Sequence, residues 1–195
     1  MNFAPLRDFI LDKLRTGLRH ELYYHSIDHT LDVYDAVMRL AKLENLDAYE
    51  TEILKTAALL HDAGMLITYA GHEEASAEMA RSFLPQYGYD ETDITLVVNL
   101  ILDTRMPQQA GGKLGQILCD ADLDYLGRDD YFLISHRLRL EWIRTNLRQT
   151  TLRQWYELQV NFLQSHHYFC ESSQHLRNQG KQNNLIQIKN LLGIY

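Results

Sequence analysis

The sequence predicts an all-α fold on three observations. Apolar residues recur at helical spacing along almost the whole chain. Only three prolines interrupt its 195 residues. The Asn-Gly and Gly-Gly signals of tight β-hairpins are nearly missing.

The elements follow in order. Leu6, Phe9, Ile10, Leu14 and Leu18 mark a first helix face, and Leu31, Val33, Val37, Leu40 and Leu43 a second. A third helix runs from Ile53-Leu54 through Ala57-Ala58 to Leu60 and is stopped by Gly64. A fourth opens near His72, carries Ala75, Met79, Ala80 and Phe83, and ends before Pro85. Asp90-Glu91-Thr92-Asp93 reads as a cap ahead of Ile94, Val97, Val98, Ile101 and Leu102. The run Ile94–Val98 has strand propensity by itself, but the cap and the spacing beyond it favour a helix. After the Gly111-Gly112 loop comes a helix through Leu114, Leu118, Ala121 and Tyr125. Long helices fill roughly 130–148 and 150–169, and Asn178-Gln179-Gly180 breaks the chain before a last helix ending near Leu192.

Composition narrows the class. Apolar residues make up 46% and charged residues 23%, so a chain of this length buries its own core without disulfides. Nothing marks a domain boundary, and the reading is one domain over residues 1–195. A formal charge of −7 argues against a protein that coats nucleic acid or an anionic membrane. No run reaches the apolar length that spans a bilayer, and the first residues lack the pattern of a signal peptide. Cys119 and Cys170, far apart in sequence, suit a reducing, cytoplasmic setting. The aromatics Trp142, Trp155 and Tyr156 read as packing of the C-terminal helices.

Three short segments carry chemistry. His61-Asp62 ends a helix of small and apolar residues, where an imidazole and a carboxylate are costly to bury without a partner. A divalent cation satisfies both, and a hydrogen-bonded pair at a capped helix end is the plainer alternative. Upstream, Tyr24-His25-Ser26-Ile27-Asp28-His29 places two histidines four apart, on one face if both are helical. Ser26 or Asp28 can cap that helix, which leaves His25 just outside it. Downstream, Lys113, Gln116, Asp120 and Asp124 make a polar stripe, so Asp120 and Asp124 read as solvated. Asp122, one turn from Leu118 and Leu126, reads as the acid that points inward.

The order His29, His61-Asp62, Asp122 resembles the H…HD…D pattern of the HD-domain superfamily of metal-dependent phosphohydrolases. Ala57–Gly64 is similar to its central motif, and the segments His72–Ser76 and Asp120–Asp122 to later ones. The resemblance covers about residues 24–126, with 127–195 as a helical extension. It implies a helical bundle in which His29, His61, Asp62 and Asp122 bind a divalent metal (Mn, Fe, Zn, Ni, Co or Mg). It implies Asp62 as orienter of the attacking water. His72, which opens its helix, reads as a ligand of a second ion or of a substrate phosphate, or else as a helix-start histidine hydrogen-bonded to backbone. The Tyr-His…His segment also resembles the cyclic-nucleotide phosphodiesterases, which implies His25 as proton donor to the leaving oxygen. Met65 stands where those enzymes carry a further histidine, and Ala63-Gly64 follows Asp62 where alarmone hydrolases carry Glu-Asp.

The expected function is hydrolysis of a phosphate ester of a small metabolite or nucleotide, with no extended nucleic acid and no membrane as partner. A homo-oligomer is left open. A di-iron oxygenase on the same fold and a metal-containing ligand-sensing module without turnover are the alternatives. Arg105, Lys113 and the pair His166-His167 read as solvated surface.

Overall fold

The computed structural model of the chain describes residues 1–194. Among them are α1 (Phe3–Gly17), α2 (Ile27–Leu43), α3 (Ala48–Leu60), α4 (His72–Phe83) and α5 (Glu91–Asp103). α6 (Lys113–Asp122), α7 (Tyr131–Arg144), α8 (Leu152–Ser165) and α9 (Glu171–Leu192) follow, and the described residues form no strand. No helix among them is long and apolar enough to cross a membrane. The helices pack as two compact units: residues 1–19 with 25–122, and residues 20–24 with the chain from Leu123 onward.

In the first unit α3 is central, packed against α1, α2, α4, α5 and α6. Its second half explains why, since Thr56, Ala57, Ala58, Leu59 and Leu60 are consecutive and all buried. A helix apolar all round has no solvent face to keep, so it goes to the middle. Its start is fixed by a capping box in which Asp47 accepts from Glu50 N and Glu50 accepts from Asp47 N. A second capping box, Asp90 with Asp93, starts α5, so the Ile94–Val98 run is helical and not a strand. Ser26, not Asp28, caps α2, its hydroxyl accepting from His29 N. The buried face of α2 is His29, Val33, Ala36, Val37 and Leu40. Leu31 and Leu43, expected on that face, are exposed. The apolar stripe is therefore centred on the row that contains His29, which carries a polar side chain into the core.

α6 stops at Asp122 and a 3-10 turn, Asp124–Gly127, follows, so the expected continuous helix to Tyr125 is broken. The chain passes from one packing unit to the other at this break.

The second unit packs α7, α8 and α9 with this turn. Tyr131, Trp155, Leu126 and Ile188 are fully buried in it, as the C-terminal aromatics lead one to expect. α7 and α8 are shorter than the sequence suggested, and α9 is longer: it runs without a break through Asn178-Gln179-Gly180. Gly180 serves contact rather than termination. A Cβ at Gly180 would overlap the Gly127 carbonyl oxygen, and a Cβ at Gly127 would overlap the Arg177 carbonyl oxygen. The two glycines let α9 and the turn approach backbone to backbone. Arg177 closes the contact with a bidentate pair to Asp124, at 2.8 and 3.0 Å. Asp124, expected on a solvated stripe, is buried for this reason.

Gly180→Ala separates two opposed effects. Helix propensity favours alanine by about 1 kcal/mol, whereas forcing a methyl into a packed backbone contact costs about 1–3 kcal/mol or more. The contact is with a carbonyl that cannot swing away, so the expected result is a lowered thermal midpoint. A raised midpoint would show that α9 does not lean on the turn.

Candidate metal centre

Four elements deliver the side chains that the sequence singled out. His61 caps the C-terminal end of α3 and Asp62 follows it. α2 contributes His29 in its first turn, α4 opens with His72, and α6 ends on Asp122. His25 lies just before the α2 cap. Adjacent residues such as His61 and Asp62 converge here because the α-helix gives way to a 3-10 turn, Ala63–Leu66. Gly64 holds that turn against α4: its N–H donates to Ser76 Oγ at 2.8 Å, and a Cβ there would overlap the His72 carbonyl oxygen.

His29 Nε2, His61 Nε2, Asp62 Oδ2 and Asp122 Oδ1 face one another. His29 Nε2 lies 3.4 Å from Asp62 Oδ2 and 3.2 Å from Asp122 Oδ1, and the same atoms lie 3.2 and 3.6 Å from His61 Nε2. The two imidazole nitrogens are 3.4 Å apart. Four N or O ligands held tetrahedrally at metal–ligand distances of ~2.0–2.1 Å are separated by ~3.3–3.4 Å. The five separations bracket that spacing, so the donors fit a single divalent ion.

The ring hydrogen bonds set the donors. His61 Nδ1 lies 2.8 Å from the Ala58 carbonyl, and His72 Nδ1 lies 2.9 Å from that of Tyr69. A carbonyl accepts only, so each Nδ1 carries the proton, and each Nε2, when the ring is neutral, turns a lone pair toward the cluster. His72 Nε2 sits 3.2 Å from Asp62 Oδ1. Asp62 therefore reaches two groups with its two oxygens. The outer group is His25, Asp62 and His72, with one ligand atom from each lying within 4.8 Å of the others. His25 packs its ring on those of His72 and Tyr69, at 5.3 and 5.5 Å between centroids.

Electrostatics point the same way. Asp62 Oδ2 is buried and has no hydrogen bond of good geometry, with His29 Nε2 and His61 Nε2 at 3.4 and 3.2 Å. Burial opposes the Asp62 charge, but His61, His72 and His25 hold its carboxyl well below the usual range. Burial likewise opposes charge on His61, yet Asp62 and then Asp122 raise it to about 9. For His72 burial is again outweighed, here by the hydrogen bond and charge of Asp62, and the ring rises to about 9. The carboxylates demand positive charge, and without an ion His61 and His72 supply it as protons.

Asp120 is the correction here. It is buried, not solvated, because α6 loses its solvent face after the first turns: Ile117 through Ala121 are all buried. The stripe that starts at the exposed Lys113 does not extend to Asp120. Asp122 does face the histidines. Arg105 is exposed and paired with Glu74, and Lys113 Nζ donates to the Glu44 carbonyl. His166 is half-buried against Tyr168, whereas His167 is exposed. Sequence reading missed Gln108, whose Nε2 donates to Asp122 Oδ2 at 3.0 Å. It sits in a loop, where periodicity carries no signal. A cavity of about 650 Å³ beside α5 is lined by Leu96, Leu100, Asp103, Pro107 and Lys113 among others, and by none of the cluster. The candidate centre is therefore marked by converging donors and not by this cavity.

The HD domain family matches residues 26–124. An uncharacterized protein of Clostridium beijerinckii is 36% identical over 104 residues, which is 50% of this chain and 62% of that protein. The chain thus aligns with less than two thirds of that relative. A crystal structure of a predicted HD superfamily hydrolase from an uncultured Thermotogales bacterium superposes with a TM-score of 0.65 at 21% identity. It covers 99% of this chain and 98% of its own, and is a likeness of fold.

Stability of the ion-free protein should fall with rising pH. His61 and His72 are raised from 6.5 to about 9, so their contribution is complete below about pH 6.5 and is lost as pH climbs through 9. Asp62 is lowered from 3.8, so its contribution is present above that value and lost on acidification. Thermal midpoints of chelator-treated protein should therefore be highest near pH 5–6 and decline toward pH 9, with added Mn²⁺ restoring the alkaline side. A flat profile between pH 6 and 9 would contradict the charge balance described.

Proposed function

The chain belongs to the HD-domain family, and on that premise we propose that the cluster holds a divalent metal and hydrolyses a phosphate ester of a small metabolite or nucleotide. The observation that carries the reading is Asp62 Oδ2, a buried carboxylate oxygen without a hydrogen bond of good geometry, faced by two imidazole nitrogens. His29, His61, Asp62 and Asp122 would hold the ion, and Mn, Fe, Zn, Ni, Co and Mg all remain compatible with these donors. The ion, when bound, supplies Lewis acidity and a water of lowered pKa.

The chain's own residues do the rest. Asp62 orients the attacking water through the oxygen it turns to His72. His25, its ring packed on those of Tyr69 and His72, delivers a proton to the leaving oxygen. A chain of net charge −7 with Arg105 tied to Glu74 offers an anionic substrate little attraction of its own. Cys119 and Cys170, both buried and not joined in a disulfide, support a reducing cytoplasmic location.

A second reading has its own observation. His25, Asp62 and His72 form a second donor group that shares Asp62 with the first. Two irons would be held by these two groups and would supply oxygen chemistry, with His25 a ligand rather than an acid. Metal content separates the readings: one ion per chain, or two ions without oxygen dependence, supports hydrolysis, whereas two irons with oxygen-dependent turnover supports the oxygenase.

Three variants test the site. His61→Ala and Asp122→Asn should each remove most bound metal and abolish hydrolysis of nucleotides and phosphate monoesters, with the helical circular dichroism kept. Asp120→Asn should keep the metal. Loss of metal from Asp120→Asn with retention in Asp122→Asn would refute the assignment.

A further inference from the structure

The loop between α5 and α6 is exposed at Met106, Pro107 and Gln109, and turns Gln108 inward between them. Gln108 Nε2 donates to Asp122 Oδ2 at 3.0 Å and to the Cys119 carbonyl at 3.3 Å. An amide nitrogen has two protons, so both bonds form at once. The loop is pinned beside it: Gln109 N donates to the Asp103 carbonyl at 3.1 Å, and Gly111 N to the Asp103 carboxylate at 3.0 Å. Gln108 is thus presented by an anchored backbone.

The two oxygens of Asp122 have different partners. Oδ1 faces His29 and His61, whereas Oδ2 is held by Gln108. We propose that Gln108 is a positioning residue for the metal centre, its amide reserving one oxygen of Asp122 for the loop and leaving Oδ1 alone for the ion. The inference rests on the reading that the cluster holds a divalent ion. An aspartate can meet an ion with one oxygen or with both. On an ion that takes more than four ligands, holding it to one keeps a coordination place free for water or substrate beside the four protein donors. It also removes a rotation that ion capture would otherwise have to freeze. The competing role is plain capping, since the Cys119 carbonyl lies in the last turn of α6 and accepts from Gln108 whether or not an ion is present.

Cobalt(II) separates the two roles, because its visible bands report donor number and geometry. Wild type, Gln108→Leu and the exposed neighbour control Gln109→Ala are titrated with Co²⁺, and ion-free thermal midpoints are recorded beside Kd and spectrum. Gln108→Leu is expected to weaken Co²⁺ binding roughly 10- to 100-fold and to shift the bands, while Gln109→Ala matches wild type. A lowered midpoint with unchanged Kd and bands shows capping alone and overturns the inference. Should Gln108→Leu not fold, Gln108→Asn keeps the amide but sets it one methylene short of Asp122, and unchanged Kd and bands in that variant overturn the inference equally. Wild type that binds no Co²⁺ overturns the metal centre itself, a failure distinct from an ion-binding wild type matched by its Gln108 variants.

Discussion

A buried carboxylate just beyond the C-terminal end of the central helix is the constraint on which the first unit depends. The helix end carries partial negative charge, so Asp62 sits where an anion is least welcome. Burial adds a further penalty. The surrounding elements answer it with imidazoles: His61 from the same helix end, His29 from the start of α2 and His72 from the start of α4. Asp122 adds a second acid to the group instead of relieving the first. Packing of α2, α4 and α6 around α3 is thereby tied to one small volume of charge.

Other buried acids show what ordinary compensation looks like. Glu141 is wholly buried and accepts the Tyr24 backbone N–H at 2.8 Å. Asp93, also buried, accepts from the Tyr49 hydroxyl at 2.9 Å and closes a capping box. Each has a neutral donor whose proton is fixed in place. Asp62 Oδ2 has none, and that difference distinguishes a site from a satisfied structural acid.

Much of this was legible in the sequence because it rests on local rules. Helix periodicity and capping residues gave the elements up to α6, including the choice of helix at Ile94–Val98. The convergence of His29, His61, Asp62 and Asp122 followed from resemblance, and the geometry brings those four together. What failed depended on partners far away in the chain. Asp120 and Asp124 looked solvated because their helix begins exposed, and tertiary burial overrode the stripe. Gly180 looked like a break because its reason, the Gly127 carbonyl, lies outside any local window. Gln108 carried no signal at all, since a loop glutamine is recognised only by what it touches.

The acids of the Asp120-Ala-Asp122-Leu-Asp124 run are alike in sequence, and Asp122 and Asp124 differ in the kind of charge that meets them. Asp124 meets a guanidinium through two bonds, a charge that is permanent at any pH of interest. That pair can only be kept or broken. Asp122 meets imidazole nitrogens, and so does Asp62. Imidazole charge is optional, because the ring can release its proton and remain in place as a neutral ligand. The cluster can therefore exchange protons for a divalent ion without moving a side chain, whereas an arginine in the place of His61 would have locked the carboxylates into a permanent salt bridge. Choice of histidine as the counter-charge is what leaves this buried group open to chemistry.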